Sequence, residues 1–182
     1  LLAEVSTASS ADAEAAIQST VDAAVAMKAL PSHARYHALQ KIAGGLYDRR
    51  DEFARLMTAE AGKPITDAKR EVNRAVQTFT IAAEEAKRIP GEVIPLDWTP
   101  GTDSHLGILR RVPIGPVLGI TPFNFPLNLV AHKVAPALAA GNSILIKPAP
   151  QTPLTALLLG EVVLEAGLPP GALNIIPCDN KL

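Results

Sequence analysis

Three short runs without a charge, Val117-Leu118-Gly119-Ile120, Ser143-Ile144-Leu145-Ile146 and Leu173-Asn174-Ile175-Ile176, are separated from one another by stretches of helical character. A strand with one face in water alternates apolar and polar residues, whereas a continuous apolar run predicts a strand buried on both faces. Such strands need helices as cover, and a strand-helix-strand order makes them parallel. The first intervening helix is expected over 126–140, interrupted by Pro136 and closed by Gly141. The second opens at Thr152-Pro153, with Thr152 as N-cap and proline at the first helical position, and ends at Gly167 before Pro169-Pro170. The expected fold class is α/β, with residues 113–182 forming a β-α-β-α-β unit, the first half of a doubly wound parallel sheet.

Upstream the grammar differs. Residues 10–88 are charge-rich, with apolar residues at helical spacing. Ile17, Val21 and Val25 make one face, and Tyr36, Leu39, Ala43 and Leu46 a second. Phe53, Leu56 and Met57 make a third, and Val72, Val76, Phe79 and Ala83 a fourth. Ser32 is the expected N-cap of the second helix, and Gly62 before Pro64 the stop of the third. The Gly44-Gly45 pair weakens the second helix, since an interior glycine costs about 0.5–1 kcal/mol against alanine. Pro90-Gly91 then switches the pattern to extended runs over 92–96 and 104–112, joined by a segment rich in turn formers, which predicts a β-hairpin. The expected organisation is an N-terminal helical segment over 1–89 packing on the sheet domain, a hairpin over 90–112 and the sheet over 113–182. A two-stranded hairpin is marginal alone, so this one is expected to lean on another element or on another subunit, the latter pointing to homo-oligomerisation.

Composition excludes several functions. With 48% hydrophobic residues the chain can bury a core, while a net charge of −1, no basic stripe and 4% aromatic residues argue against a nucleic-acid partner. Cys178 is the only cysteine, so no internal disulfide forms and a cytoplasmic setting is expected. Residues 112–131 carry no charged side chain, but prolines at 113, 116, 122 and 126 break any membrane-spanning helix. Leu-Leu-Ala-Glu at the start has neither the basic segment of a signal peptide nor an initiating methionine, so processing or fragmentation is expected. His33 and His37 are spaced i, i+4 without a nearby partner to complete a metal site, and no metal is expected.

In open α/β sheets ligands bind beyond the carboxyl ends of the strands. Those ends carry Thr121-Pro122-Phe123-Asn124-Phe125-Pro126, then Lys147-Pro148-Ala149-Pro150, then Pro177-Cys178-Asp179. Residues 119–150 hold only two formal charges, Lys133 and Lys147, of which Lys133, like His132, falls inside the intervening helix. Asn124 is a polar donor that could equally cap that helix. Lys147 offers three donors on a flexible stem, or is a solvated charge at a strand end.

Taken in order, Thr-Pro-Phe-Asn-Phe-Pro at 121–126, Pro-Ala-Leu-Ala-Ala-Gly-Asn at 136–142, Lys-Pro-Ala at 147–149 and Gln-Thr-Pro-Leu-Thr-Ala at 151–156 resemble the NAD(P)-dependent aldehyde dehydrogenases. Glu-Ala-Gly-Leu-Pro-Pro-Gly at 165–171, Lys-Pro-Ile at 63–65 and Pro-Gly-Glu at 90–92 extend the resemblance over most of the chain. It implies a Rossmann-like cofactor domain binding NAD or NADP, and a small-molecule aldehyde substrate. Asn124 would be the catalytic amide, donating to the oxygen of the thiohemiacetal formed when a cysteine attacks the aldehyde. Ile120, Thr121, Pro122 and Phe123 would lie along the nicotinamide side. Lys147, with the Pro148-Ala149-Pro150 turn, would meet the adenosine ribose.

Many relatives carry at position 150 a glutamate that accepts the ribose hydroxyls, and proline there relaxes selection against a 2′-phosphate. Cys178 does not match the family's nucleophile and is expected to be a small, partly buried side chain. No Gly-x-Gly-x-x-Gly turn follows any run, and the matching cysteine and general-base glutamate would fall beyond Leu182. The chain is therefore expected to be an N-terminal fragment, inactive by itself, of an enzyme that oxidises an aldehyde to a carboxylic acid by hydride transfer to the nicotinamide. A coenzyme A-acylating variant and a noncatalytic relative that keeps the sheet are the alternatives.

Overall fold

The computed structural model describes residues 2–180. Four helices come first: α1 (Ser10–Ala29), α2 (Ser32–Asp48), α3 (Arg50–Ala61) and α4 (Ile65–Ala86). α1 opens on a capping box in which the Ser9 hydroxyl accepts from the Asp12 amide at 3.2 Å and Asp12 accepts from the Ser9 amide at 2.9 Å. Ser32 is the first helical residue of α2, so the cap position falls to Pro31, which has no side chain able to serve it. α3 stops at Gly62, whose φ of 67° is the left-handed turn that glycine adopts most cheaply.

Leu39, Ala43, Leu46, Phe53, Met57, Val72, Phe79 and Ala83 are buried along the predicted stripes. α2 runs unbroken through its glycine pair. A Cβ on Gly45 would come within 2.7 Å of Val162 Cγ1, so the glycine allows close approach to a later helix.

The stripe on α1 is reversed from expectation. Ile17, Val21 and Val25 are exposed, and Thr20, Ala23 and Met27 face inward. Small polar residues win this contact because α1 lies close against the end of the sheet. The Thr20 hydroxyl accepts from Asn174 Nδ2 at 2.8 Å, and Ser143 Oγ donates to the Thr20 carbonyl at 2.6 Å. Gly171, at φ 80°, leaves no room for a Cβ, which would sit 2.6 Å from the Ser19 carbonyl oxygen.

β1 (Glu92–Pro95) and β2 (Leu106–Leu109) pair antiparallel as the hairpin, the second strand shorter than predicted. The parallel sheet follows: β3 (Val117–Ile120), α5 (Asn128–Ala139), β4 (Ile144–Lys147), α6 (Pro153–Leu164) and β5 (Leu173–Ile175), in strand order β3-β4-β5. Pro136 lies inside α5 without interrupting it, and α6 ends short of Gly167. Side chains alternate across a strand. The side of Gly119 and Ile146 therefore meets α5, where Lys133 packs, while Leu118, Ile120 and Leu145 point to the α1 side. One continuous core joins α2–α4 to α5 and α6 through Leu127, Val134, Leu138 and Leu159. Each large apolar side chain fully buried there contributes about 1.5–3 kcal/mol.

Candidate functional site

The loop 121–126 leaves the carboxyl end of β3 and enters α5. Thr121 is buried, and its amide donates to the Lys147 carbonyl at 3.1 Å, extending the β3–β4 ladder by one step. Pro122, Phe123, Asn124 and Phe125 are exposed. Among the described residues the Asn124 side chain makes no hydrogen bond; only its backbone carbonyl is engaged, accepting from Lys63 Nζ at 3.0 Å.

The first amides of α5 need an acceptor, and Asn124 does not supply it. Glu71, on α4 and 2% exposed, accepts from the Leu127 and Asn128 amides at 3.0 Å each through Oε1. Its Oε2 pairs with Lys63, whose ammonium lies 4.1 Å from the centroid of the Phe125 ring. Three groups from outside the loop thus hold it: a carboxylate on its helix, an ammonium on its carbonyl and the same ammonium over its aromatic ring.

α6 is treated likewise. Thr152 occupies the N-cap position without a side-chain cap bond, and Glu60 from the end of α3 accepts from the Leu154 amide at 2.5 Å and the Thr155 amide at 3.1 Å. A carboxylate also complements the positive end of the helix dipole. Sequence reading missed both carboxylates. For Glu71 a signal exists: it falls on the inward stripe of α4 with Ala68, Val72 and Ala75.

Two clefts flank the loop. One, of about 580 Å³, is lined by Ile120, Lys147, Leu118, Leu145, Ile17 and Val21 among others, and Cys178 also borders it. Lys147 there donates to Asn180 Oδ1 at 2.8 Å. Pro148 and Ala149 are buried and shape the turn, while Pro150 is exposed. The other cleft, of about 620 Å³, is lined by Phe123, Asn124, Phe125, Lys63 and Arg74 among others. The structure therefore brings Ile120 and Lys147 together on one side and Phe123 and Asn124 on the other, with Thr121 and Pro122 bridging them along the chain.

Cys178 is a free, buried thiol. His37 packs edge-on to Tyr36 at 5.1 Å, and among the described residues no three His, Cys, Asp or Glu side chains are grouped to hold a metal. No described helix is long and apolar enough to cross a membrane.

The aldehyde dehydrogenase family description matches residues 1–182. The 3-sulfolactaldehyde dehydrogenase of Priestia aryabhattai is 46% identical over 177 residues, which are 97% of this chain and 37% of that protein. The crystal structure of aldehyde dehydrogenase 21 from Physcomitrella patens, in complex with the reaction product succinate, superposes with a TM-score of 0.95 at 47% identity, covering 98% of this chain and 37% of that one. Glyceraldehyde-3-phosphate dehydrogenase GapN from Methanocaldococcus jannaschii, complexed with NADP, gives 0.91 at 37% identity, covering 98% and 39%. The chain spans little more than a third of the length of these relatives, and it belongs to the aldehyde dehydrogenase family.

Proposed function

We propose that this chain supplies the oxyanion donor and the first half of the NAD(P) site of a full-length enzyme that oxidises an aldehyde to a carboxylic acid. The observation that carries the reading is Asn124: a side chain with no hydrogen-bond partner among the described residues, on a loop whose backbone is fixed by Lys63 and Glu71. A thiolate supplied by the rest of the enzyme adds to the carbonyl carbon and leaves negative charge on oxygen. The Asn124 amide can donate to that oxygen, stays neutral, and needs little reorganisation because its backbone is already held. Donors preorganised in this way are among the largest single contributions to catalysis.

The cleft beside β3 and β4 suits the cofactor. Leu118, Ile120 and Leu145 offer apolar walls for a flat ring, and Lys147 offers donors for ribose hydroxyls or phosphate. When bound, the nicotinamide supplies the acceptor for the hydride leaving the aldehyde carbon. The 3-sulfolactaldehyde and succinate relatives handle molecules with an acidic group at the far end, and an aldehyde of that class is the substrate favoured here. The hairpin exposes Val93, Leu106 and Ile108, an apolar surface that suits pairing between copies of the enzyme.

The full-length enzyme should form NADH or NADPH when given an aldehyde, and the 182-residue chain alone should form none. Identifying the product as free acid or, with coenzyme A present, as thioester separates hydrolytic from acylating chemistry. Failure of the full-length protein with every aldehyde and both nucleotides would leave the noncatalytic relative standing.

Cofactor choice is tested at Pro150, exposed directly after the Lys147 turn. Pro150→Glu in the full-length enzyme should raise the ratio of kcat/KM for NAD over NADP about tenfold. A carboxylate there accepts ribose hydroxyls and repels a 2′-phosphate. A ratio that stays put or moves toward NADP would take Pro150 out of the cofactor site.

A further inference from the structure

Lys63 is the one lysine among the described residues that line the cleft on the Asn124 side. Its Nζ lies 3.0 Å from the Asn124 backbone carbonyl, so an aldehyde whose oxygen is held by the Asn124 amide sits beside a primary amine. Amines and aldehydes condense spontaneously. The nitrogen lone pair adds to the carbonyl carbon, the resulting carbinolamine loses water, and an imine remains. A desolvated lysine without a counter-charge is the form that enzymes use to make such imines deliberately. In this cleft the same reaction would occupy the substrate position and deprive the Asn124 loop of its ammonium.

The surroundings of Lys63 are the reverse of that form. The ammonium donates to Glu71 Oε2 and to the Asn124 carbonyl, and lies 4.1 Å from the centroid of the Phe125 ring. Its three N–H bonds thus have a carboxylate, a carbonyl and an aromatic face to meet, and no lone pair is presented to the cleft. Loss of the proton would leave the Glu71 carboxylate, 1% exposed, without its counter-charge. Lys41 on α2, by contrast, is exposed and has no ion-pair partner among the described residues.

We propose that Glu71 protects the enzyme from its own substrate: by holding Lys63 as an ammonium, it keeps this amine from condensing with the aldehyde bound at Asn124. The inference rests on the reading of Asn124 as the oxyanion donor, and it gives the buried pair a chemical role besides its hold on the loop. Arg70 and Arg74, the other cations lining the cleft, need no such guard, because a guanidinium keeps its proton.

The test uses the full-length enzyme without nucleotide, so that no aldehyde is consumed by oxidation. The probe is propanal with sodium cyanoborohydride, which reduces an imine to a stable secondary amine. Mass spectrometry of the digested protein then gives the extent of propylation at Lys63 relative to Lys41. In the wild type Lys63 should be labelled less than Lys41 by about tenfold or more. Glu71→Gln should raise Lys63 labelling by about tenfold or more. Phe125→Leu uncovers the ammonium but leaves the carboxylate in place, and should leave Lys63 labelling nearly unchanged.

Wild-type labelling of Lys63 on a par with Lys41 would overturn the proposal, as would a folded Glu71→Gln variant in which Lys63 stays silent. A rise in Phe125→Leu equal to that in Glu71→Gln would assign the silence to steric cover and reject the role of the charge. If Glu71→Gln does not fold, the other two proteins decide: low labelling of Lys63 in both supports the proposal, and high labelling in either rejects it. These readouts do not depend on turnover, so a full-length protein that oxidises no aldehyde refutes the oxidation reading while the labelling ratio is still measured.

Discussion

Replacing Asn124 with alanine should lower kcat of the full-length enzyme by about 10²–10³-fold, or roughly 2.7–4 kcal/mol of transition-state stabilisation, with nucleotide affinity almost unchanged. The structure sharpens this expectation, because the competing role has gone to another residue. Had Asn124 capped α5, its loss would cost about 0.5–2 kcal/mol of stability. The amides in question donate to Glu71, so the alanine variant should unfold at nearly the wild-type denaturant midpoint. Asn124→Ser keeps a hydroxyl on the same backbone but reaches a different point, and should be as stable and nearly as slow as alanine. A stable serine variant with full turnover would remove Asn124 from the chemistry.

Glu71→Ala should be the most destabilising single change near the site, by about 3–5 kcal/mol, the cost of breaking a buried ion pair from one side. Two penalties combine: the Lys63 ammonium, 13% exposed, loses its counter-charge, and the Leu127 and Asn128 amides lose their acceptor. Glu71→Gln retains an oxygen for those amides and removes only the charge, so it should lose less. Removing both charges with Lys63→Met and Glu71→Gln should cost less than the sum of the single changes, since neither partner is then left buried alone. Denaturant unfolding of the four variants measures this. A Glu71→Ala shift below about 1 kcal/mol would mean that water or another group replaces the carboxylate. Because the same pair holds the Asn124 carbonyl, folded Glu71→Gln should also turn over more slowly, with kcat falling rather than nucleotide KM rising.

What could be read in the sequence, and what could not, divides along a physical line. The three parallel strands were legible because burial on both faces writes itself as an uninterrupted apolar run. The hairpin was legible because Pro90-Gly91 and the turn-forming segment after Leu96 bound two extended runs. Asn124 and Lys147 stood out as polar residues at strand ends. α1 misled because its contact with the sheet is made by Ser19, Thr20 and Ala23, residues chosen for size and hydrogen bonding, so the largest apolar side chains mark the wrong face. Glu60 was silent, and Glu71 showed only its place on the inward stripe of α4, because what each carboxylate does depends on partners far along the chain, which local periodicity does not register.

The two borrowed caps have a consequence for how the chain acquires its structure. α5 and α6 carry no side chain of their own to terminate them at the N-terminal end. Their start points are fixed by Glu71 and Glu60, 56 and 94 residues earlier in the chain. Contacts of such separation are made late, since the loop they close must be paid for in entropy before they contribute. On a ribosome the order of synthesis favours them: the α3–α4 hairpin emerges first and can fold locally, presenting both carboxylates as a template on which the later helices find their register.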